Sequence, residues 1–243
     1  MKNRTCQLKL TFILLIFSFI VLKVDGQGAS AGTADQKADF AFENMYDLSG
    51  KKIESSEKLD VVGTAMLNEN WAKGIVKLKS GRQFREVDLQ FNVNKNELQF
   101  MKKGIAYTFV EPVVEFSFSY VENDQSNLVF FRSGYPDFGK QNANSLYEVV
   151  TIGANIHLLK YLSKNIKQTY EYSGPAKKEY ALSEDWYVYD AKNNKLSLIK
   201  KDIASLSKAL PGYASSIHQI VKDKKYKLKS DEGITSLIND LNK

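Results

Sequence analysis

Histidine and cysteine, the side chains most often used for metal binding and nucleophilic catalysis, are scarce in this 243-residue chain. The two histidines, His157 and His218, fall on a predicted strand and a predicted helix, and no HxH or HxxxH spacing brings a second ligand near either. The one cysteine, Cys6, precedes a long apolar run near the N-terminus. The sequence therefore predicts no metal site and no cofactor.

Serine and glycine motifs point to no site either. The chain lacks the G-x-S-x-G elbow of a serine hydrolase, and the pairs Ser80-Gly81 and Ser133-Gly134 are typical of turns. No G-x-x-x-x-G-K-[S/T] or G-x-G-x-x-G pattern follows a predicted strand, as phosphate binding would require. Serine hydrolysis and nucleotide binding are therefore not expected.

Carboxylate pairs are the remaining enzymatic option, because glycoside hydrolases use two acidic side chains across the scissile bond. Glu111 and Glu115 flank Pro112 at the start of a predicted strand, and Glu86 and Asp88 alternate onto one strand face. Two carboxylates on one strand face are typical of the solvent side of a sheet. We therefore expect no enzyme and keep a hydrolase that uses a carboxylate pair as an alternative.

Aromatic side chains are the candidate ligand-binding residues. Four of them lie beside or within the longest polar loop, residues 134–145, and two more alternate onto one face of a later strand. Such rings can stack on a sugar or hold a peptide, or they can close the core of a β domain. The sequence leaves both interpretations open. The six candidates are Phe130, Phe131, Tyr135, Phe138, Tyr187 and Tyr189.

The N-terminus has the three parts of a secretory signal peptide: a basic start, an apolar run over residues 10–22, and a small residue, Gly26, at the cleavage site. This run is shorter than the roughly 20 residues of a membrane-spanning helix, so an uncleaved anchor is the weaker alternative. We expect a signal peptide over residues 1–26, a flexible linker over 27–39, and an exported protein, periplasmic or extracellular. The mature chain would then contain no cysteine.

The charge of the chain is unevenly distributed. The formal net charge is +6, and residues 160–229 contain 15 lysines, seven acidic residues and no arginine. Lysine-rich surfaces can attract polyanions, but bidentate phosphate recognition favours arginine. We therefore expect the lysines to be solvated and expect no nucleic acid partner. Since the signal peptide would be cleaved, we also expect no integral membrane anchor after signal cleavage. The expected partner is an unidentified ligand or envelope protein.

Alternating apolar and polar residues dominate the middle of the chain, which is typical of half-buried antiparallel strands. The unbroken apolar run at 128–132 predicts a strand that is covered on both faces, and the segment 164–184 fits either a strand or a loop. The clearest alternating face consists of Val114, Phe116, Phe118 and Tyr120.

Beyond residue 200 the apolar spacing becomes helical, and Asp202 is the predicted first cap. The sequence thus predicts a mainly β fold of the β-rich α+β kind. An antiparallel meander over residues 40–200 would form a curved sheet, a sandwich or a partly open barrel. A helical tail over residues 201–243 would pack against it.

Two stretches of the chain have a distinctive sequence. Residues 63–100 place Gly-Thr and Leu-Asn before a Trp, then a predicted strand that ends in Phe-Asn, then Asn-Glu-Leu. Residues 201–242 form the predicted helical tail, which begins KDIASLSKAL. Together the two stretches resemble a group of secreted proteins of unknown function from Bacteroidota. The resemblance implies export and identifies no catalytic residue.

These observations predict a non-enzymatic cell-envelope protein that binds a ligand or a partner. A carrier of lipid or another apolar ligand is one alternative, and a secreted hydrolase is the other. A deep apolar cavity would favour the carrier, a flat exposed aromatic patch would favour a protein-interaction module, and convergent carboxylates in a cleft would favour the hydrolase.

Overall fold

The computed structural model describes residue 43 and residues 47–54, 60–122, 124–170 and 176–243, all of which belong to one compact unit. The predicted signal peptide and linker, residues 1–39, lie outside this part of the chain. Its strands are β1 (Gly50–Lys52), β2 (Val61–Val62), β3 (Ala72–Leu78), β4 (Gln83–Asn92), β5 (Glu97–Lys102), β6 (Ile105–Phe109), β7 (Val113–Glu122), β8 (Gln125–Arg132), β9 (Tyr147–Ile152), β10 (Ile156–Thr169), β11 (Lys177–Asp190) and β12 (Lys195–Ile199). Its α-helices are α1 (Ile203–Ala209), α2 (Ala214–Lys224) and α3 (Asp231–Leu241).

The strands form one open, curved sheet in the order β1-β6-β5-β4-β3-β7-β8-β9-β10-β11-β12. The pairing is antiparallel throughout this path, and β2 pairs in parallel with the first residues of β11. The predicted mainly β fold with helices at its C-terminal end is therefore confirmed, in the form of a curved sheet.

Alternation in the sequence divides the sheet into two faces. We call the face that carries Phe116, Phe131 and Trp186 the inner face, and the face that carries Arg132 and Tyr187 the outer face. On the inner face the rings of Phe116 and Phe131 stack with centroids 4.8 Å apart, and Phe91 lies 4.7 Å from Phe131. Large aromatic pairs of this kind supply much of the burial that stabilises a sheet core.

The sheet curves strongly around the inner face. Asn94, in the turn between β4 and β5, donates a hydrogen bond from Nδ2 to the backbone oxygen of Lys164 in β10 at 2.6 Å. Five strand steps separate β4 from β10 in the sheet order, so the sheet must bend for these residues to meet. Leu162 of β10 accordingly joins the apolar core formed by β3, β4, β5, β7 and β8.

The sheet also splits along its length. Strands β8 and β9 pair at only two positions, Phe131 with Glu148 and Arg132 with Tyr147. Strand β10 pairs with β9 only over His157–Lys160, while it pairs with β11 over all 14 of its residues. The remainder of β8 and the second half of β10 therefore diverge. The hairpin β10–β11 projects as an arm, and the segment 164–184 is strand up to Thr169 and again from Lys177.

The helices cover the inner face at the other end of β10 and β11. Asp202 caps α1 by accepting a hydrogen bond from the Ser205 amide at 2.7 Å, as predicted, and Ser230 caps α3 in the same way through Gly233. The apolar stripe of α3 packs with α1 and α2 on Trp186. None of the helices in the described residues is long and apolar enough to cross a membrane.

Candidate functional site

A groove lies where the sheet splits, partly on the inner face and partly along the edge of β7 beyond Phe118, where the pairing with β3 ends and the outer-face residue Ser119 contributes to the lining. It consists of two adjoining cavities of about 420 and 530 Å³, which share the side chains of Leu67 and Tyr120 as a common wall. The first cavity is also lined by Val129, Glu148, Lys160, Leu162, Lys164, Tyr180, Leu182 and Glu184. The second is also lined by Asn68, Glu69, Asn70, Trp71, Ala72, Ser119 and Val121.

The arm formed by β10 and β11 provides one wall of the groove, and hydrogen bonds from Lys164 fix its position. The ammonium group of Lys164 donates to the backbone oxygen of Met66, just before the loop that lines the second cavity. The backbone oxygen of Lys164 accepts the bond from Asn94 already described. Both bonds join the arm to the rest of the sheet at Lys164, a residue that lines the first cavity.

Charged side chains of both signs line the end of the groove nearest the helices. Lys160 of β10 forms an ion pair with Asp231 of α3 at 3.0 Å and lies 3.8 Å from Glu184 of β11. Lys201 pairs with the other oxygen of Asp231 at 2.8 Å. Both ammonium groups lie 4.7 Å from the centre of the Trp186 ring, a distance that allows a favourable cation–π contact.

Glu148 is the carboxylate in this wall whose charge is least compensated. Its neighbour across the strands is Lys160, but no ion pair within 4 Å or hydrogen bond to its side chain occurs among the described residues. Burial raises the pKa of Glu148, the charges of Glu184 and Asp231 raise it further, and Lys160 opposes them. Glu148 is therefore a hydrogen-bonding group with capacity left for a ligand.

The lysine and the aspartate of the same wall are held in their charged forms. Burial acts to lower the pKa of Lys160, but the carboxylates of Glu148, Asp231 and Glu184 outweigh it and the pKa is raised. Burial acts to raise the pKa of Asp231, but hydrogen bonds from Lys201 and Lys160 outweigh it and the pKa is lowered.

Beneath the far end of the groove lies a polar atom that has no hydrogen-bond partner in the described part of the chain and no access to the groove. Asn68 is 6% exposed, and its Oδ1 atom is buried with no hydrogen-bond partner among the described residues. Its Nδ2 group donates to the backbone oxygen of Asn70. The amide of Gln90 holds this loop from below by donating to the backbone oxygens of Asn68 at 3.1 Å and Glu69 at 3.0 Å.

Four of the six aromatic residues predicted to bind a ligand do come together, but on the outer face. Tyr135, Phe138, Tyr187 and Tyr189 pack around Tyr147 beneath the loop that precedes β9. The rings of Tyr135 and Tyr189 lie 5.2 Å apart, and those of Phe138 and Tyr187 lie 5.4 Å apart. The other two candidates are separated from this cluster: Phe131 lies in the inner core and Phe130 on the outer face of β8.

These outer-face rings form a core rather than an open rim. Tyr135 is 4% and Tyr187 is 2% exposed, and burial raises the pKa of Tyr187 to about 12. The Tyr135 hydroxyl lies 3.1 Å from Nδ1 of His157, and the Tyr189 hydroxyl donates to Asn194 at 3.0 Å. The Tyr147 hydroxyl is buried without a partner in the described part of the chain. That the cluster binds a ligand stays a prediction.

The carboxylate pairs suggested by the sequence lie outside the lining of both cavities. Glu111 accepts a hydrogen bond from the Ser80 amide, and this contact with Ser80 holds the pKa of Glu111 below its ordinary value. Glu115 pairs instead with Arg132 at 3.2 Å.

The second pair is divided by a β-bulge. Asp88 pairs with Lys73 at 2.9 Å, whereas Glu86 has a φ of +55° in the irregular stretch opposite Gly74 and Val76. The simple alternation that placed Glu86 and Asp88 on one face is therefore interrupted.

The residues that line the groove were not singled out from the sequence. Glu148 and Glu184 lie on separate strands, and each becomes part of the same wall only through the register of β9, β10 and β11. The sequence left 164–184 open between a strand and a loop, so this register was not predicted.

Among the described residues, no group of three or more His, Cys, Asp and Glu side chains is arranged to hold a metal ion. No family model, no curated protein and no solved structure matches this chain.

Proposed function

We propose that this chain is an exported, non-enzymatic binding protein that holds a small ligand in the groove at the split of its sheet. The observation that carries the proposal is the pair of adjoining cavities, about 420 and 530 Å³ in volume. Ligand sites in proteins commonly span about 300–1,000 Å³ and combine apolar walls with a few polar groups. The signal-peptide pattern of residues 1–26 supports export.

The composition of the groove favours a polar ligand over a lipid. Four charged side chains line the first cavity, among them Glu148 and Lys160, and three amide or hydroxyl side chains line the second. An alkyl chain placed against these groups would remove them from water without giving them hydrogen bonds, which costs free energy. The alternative of an apolar-ligand carrier therefore has less support.

A secreted hydrolase is the second candidate, and one observation favours it. Glu148 has a raised pKa while Glu184 lies on the same cavity wall, and a protonated acid beside an ionised carboxylate is the arrangement that glycosidases use. Lys160 lies between these carboxylates in the sheet and compensates their charge, which favours binding over catalysis. Turnover of a bound ligand would distinguish the two.

Native mass spectrometry on protein purified gently from its own host tests the proposal. We expect an added mass on the wild-type chain that is lost on denaturation. Leu182→Trp places a large ring at the mouth of the first cavity and should reduce the fraction of protein that carries the mass about tenfold or more. Leu198→Trp is the matched control, because Leu182 and Leu198 are 47% and 48% exposed and Leu198 lies on the outer face.

Two outcomes would contradict the proposal. One is a bare chain in every preparation of the wild-type protein. The other is an added mass that survives equally in both variants, because the ligand would then lie away from the groove. Circular dichroism should show the same melting temperature for the two variants, so that lost binding is not mistaken for lost folding.

A further inference from the structure

We infer that the ligand of the groove is a neutral oligosaccharide, an inference that rests on the function proposed above. Three properties of the groove point to this class: the compensated charges of its first cavity, its aromatic side chains, and polar groups in its lining that can still form hydrogen bonds.

The charges of the first cavity compensate one another, and the second cavity adds one exposed carboxylate, Glu69. The first cavity is lined by two lysines, Lys160 and Lys164, and by two glutamates, Glu148 and Glu184. Lys160 is engaged by Asp231, and Lys164 bonds the Met66 backbone. A ligand with a net charge would meet a like charge within the same small cavity, which is unfavourable at low dielectric. A neutral ligand meets no such penalty.

Aromatic side chains occur along the whole groove. Tyr120 belongs to the wall that both cavities share, Trp71 lines the second cavity, and Tyr180 lines the first. A pyranose ring has an apolar face of C–H groups that packs against an aromatic ring. Rings in both cavities and in the shared wall suit a linear ligand made of repeated ring units.

The hydrogen-bonding atoms of the groove match hydroxyl groups. The carboxyl group of Glu148 has no hydrogen-bond partner among the described residues; it accepts when ionised and also donates when protonated, the form that its raised pKa favours. The ammonium group of Lys160 can only donate. A hydroxyl both donates and accepts, so a polyhydroxylated chain can satisfy carboxylate, amide and ammonium groups along one path.

The test uses protein expressed from the full-length sequence with its own N-terminus. The neutral probes are cellotriose, maltotriose and tri-N-acetylchitotriose; the charged probes are trigalacturonate and the fully deacetylated chitosan trimer; laurate is the apolar probe. Binding is measured by saturation-transfer difference NMR and by calorimetry. We expect at least one neutral trisaccharide to bind, with ring protons of the sugar receiving the strongest transfer, and the charged trimers to bind at least tenfold more weakly.

Two variants locate the site. Tyr120→Ala should weaken the binding of the neutral trisaccharide about tenfold, the loss expected for removal of one packing ring. Phe130→Ala should leave it unchanged, because Phe130 lies on the outer face two strand positions from Leu128 and away from both cavities. If Tyr120→Ala does not fold, Trp71→Ala gives the same test at the other end of the groove.

The outcomes separate this inference from the proposed function. Laurate binding that Leu182→Trp abolishes, without binding of any neutral trisaccharide, would overturn the ligand class and leave the groove as a binding site. Stronger binding of either charged trimer would also overturn the class. Trisaccharide binding that neither Tyr120→Ala nor Trp71→Ala weakens would overturn the placement. If no probe binds and the host-purified chain is bare, both the class and the function fail.

Discussion

Replacing Lys160 with methionine tests whether the charged wall of the groove holds the helices on the sheet. The side chain of Lys160 is 13% exposed, and it forms the ion pair with Asp231 of α3 at 3.0 Å. Methionine retains most of the side-chain volume but cannot form an ion pair. The substitution therefore removes one positive charge from a wall that also contains Glu148 and Glu184 and leaves the packing nearly intact.

The magnitude follows from the burial of the partners. Removal of one member of a fully buried ion pair costs about 3–5 kcal/mol, whereas an exposed pair contributes about 0–1 kcal/mol. The side chains of Asp231 and Glu184 are 51% and 42% exposed, so solvent screens their attraction to Lys160. Of the three carboxylates, only Glu148 is largely buried. We therefore expect Lys160→Met to lower the free energy of unfolding by about 2 kcal/mol at pH 7.

The loss should depend on pH in a definite direction. In the folded protein the pKa of Glu148 is already raised, so Glu148 releases its proton at a higher pH than in the unfolded chain. The stability of the protein therefore falls as the pH rises from the unfolded-state pKa to the folded-state pKa of Glu148. Removing Lys160 takes away the positive charge that opposes the increase in this pKa. The difference in the free energy of unfolding between variant and wild type should therefore be smallest below the ordinary pKa of a glutamate and should grow as Glu148 ionises.

The assay is urea unfolding followed by tryptophan fluorescence, with Trp186 beneath the Lys160 ammonium as the reporter. The control is Lys167→Met on the same strand, since Lys167 is exposed and forms no ion pair with the described residues. Equal stability of the two variants at pH 7, within about 0.5 kcal/mol, would show that Lys160 does not hold the helices on the sheet. A loss of stability that does not change between pH 4 and pH 8 would show that the effect is not electrostatic.

Two further substitutions test the core that supports the groove. The side chain of Asn96 donates to the Leu146 backbone oxygen at 2.9 Å and accepts from the Leu146 amide at 2.7 Å. Asn96→Gly keeps the φ of +52° accessible but loses both hydrogen bonds, so it should lower the free energy of unfolding by about 2 kcal/mol. An unchanged midpoint in chemical denaturation would contradict this. Gly74→Ala would place a methyl group 2.7 Å from Leu89 Cδ1 and against the Ser117 backbone, so it should lower the free energy of unfolding by at least about 2 kcal/mol. Gly212→Ala is the control: its methyl group meets no atom within 4 Å, so the same assay should show almost no change.

The meander and the tail could be predicted because their apolar periodicity is local. Phe116 and Phe118 alternate with polar residues in β7 and are buried, and Ile234, Leu237 and Ile238 share one buried stripe of α3. The start of α2 differs by one or two residues from the predicted Ser215 or Ser216, because a 3₁₀ turn at Pro211–Tyr213 leads directly into it.

Other features depend on tertiary structure and were therefore mispredicted or left open. The run 128–132 was expected to be covered on both faces, which is wrong: Leu128 is exposed on the outer face of β8 although Val129 and Phe131 are buried. The arm beyond Leu162 extends past the core, so neither of its faces needs apolar residues, and its strands lack the periodic signal. For the same reason the register that brings Glu184 to Lys160 could not be read from the sequence.

A crystal structure of the protein purified from its host, with its added mass intact, would show where the ligand lies. We predict continuous ligand density in the groove, in contact with Tyr120 and Leu182 and within hydrogen-bond distance of Glu148 or Lys160. Ordered water alone in the groove of protein that carries the added mass would contradict this prediction. So would ligand density against the outer cluster of Tyr135 and Tyr187.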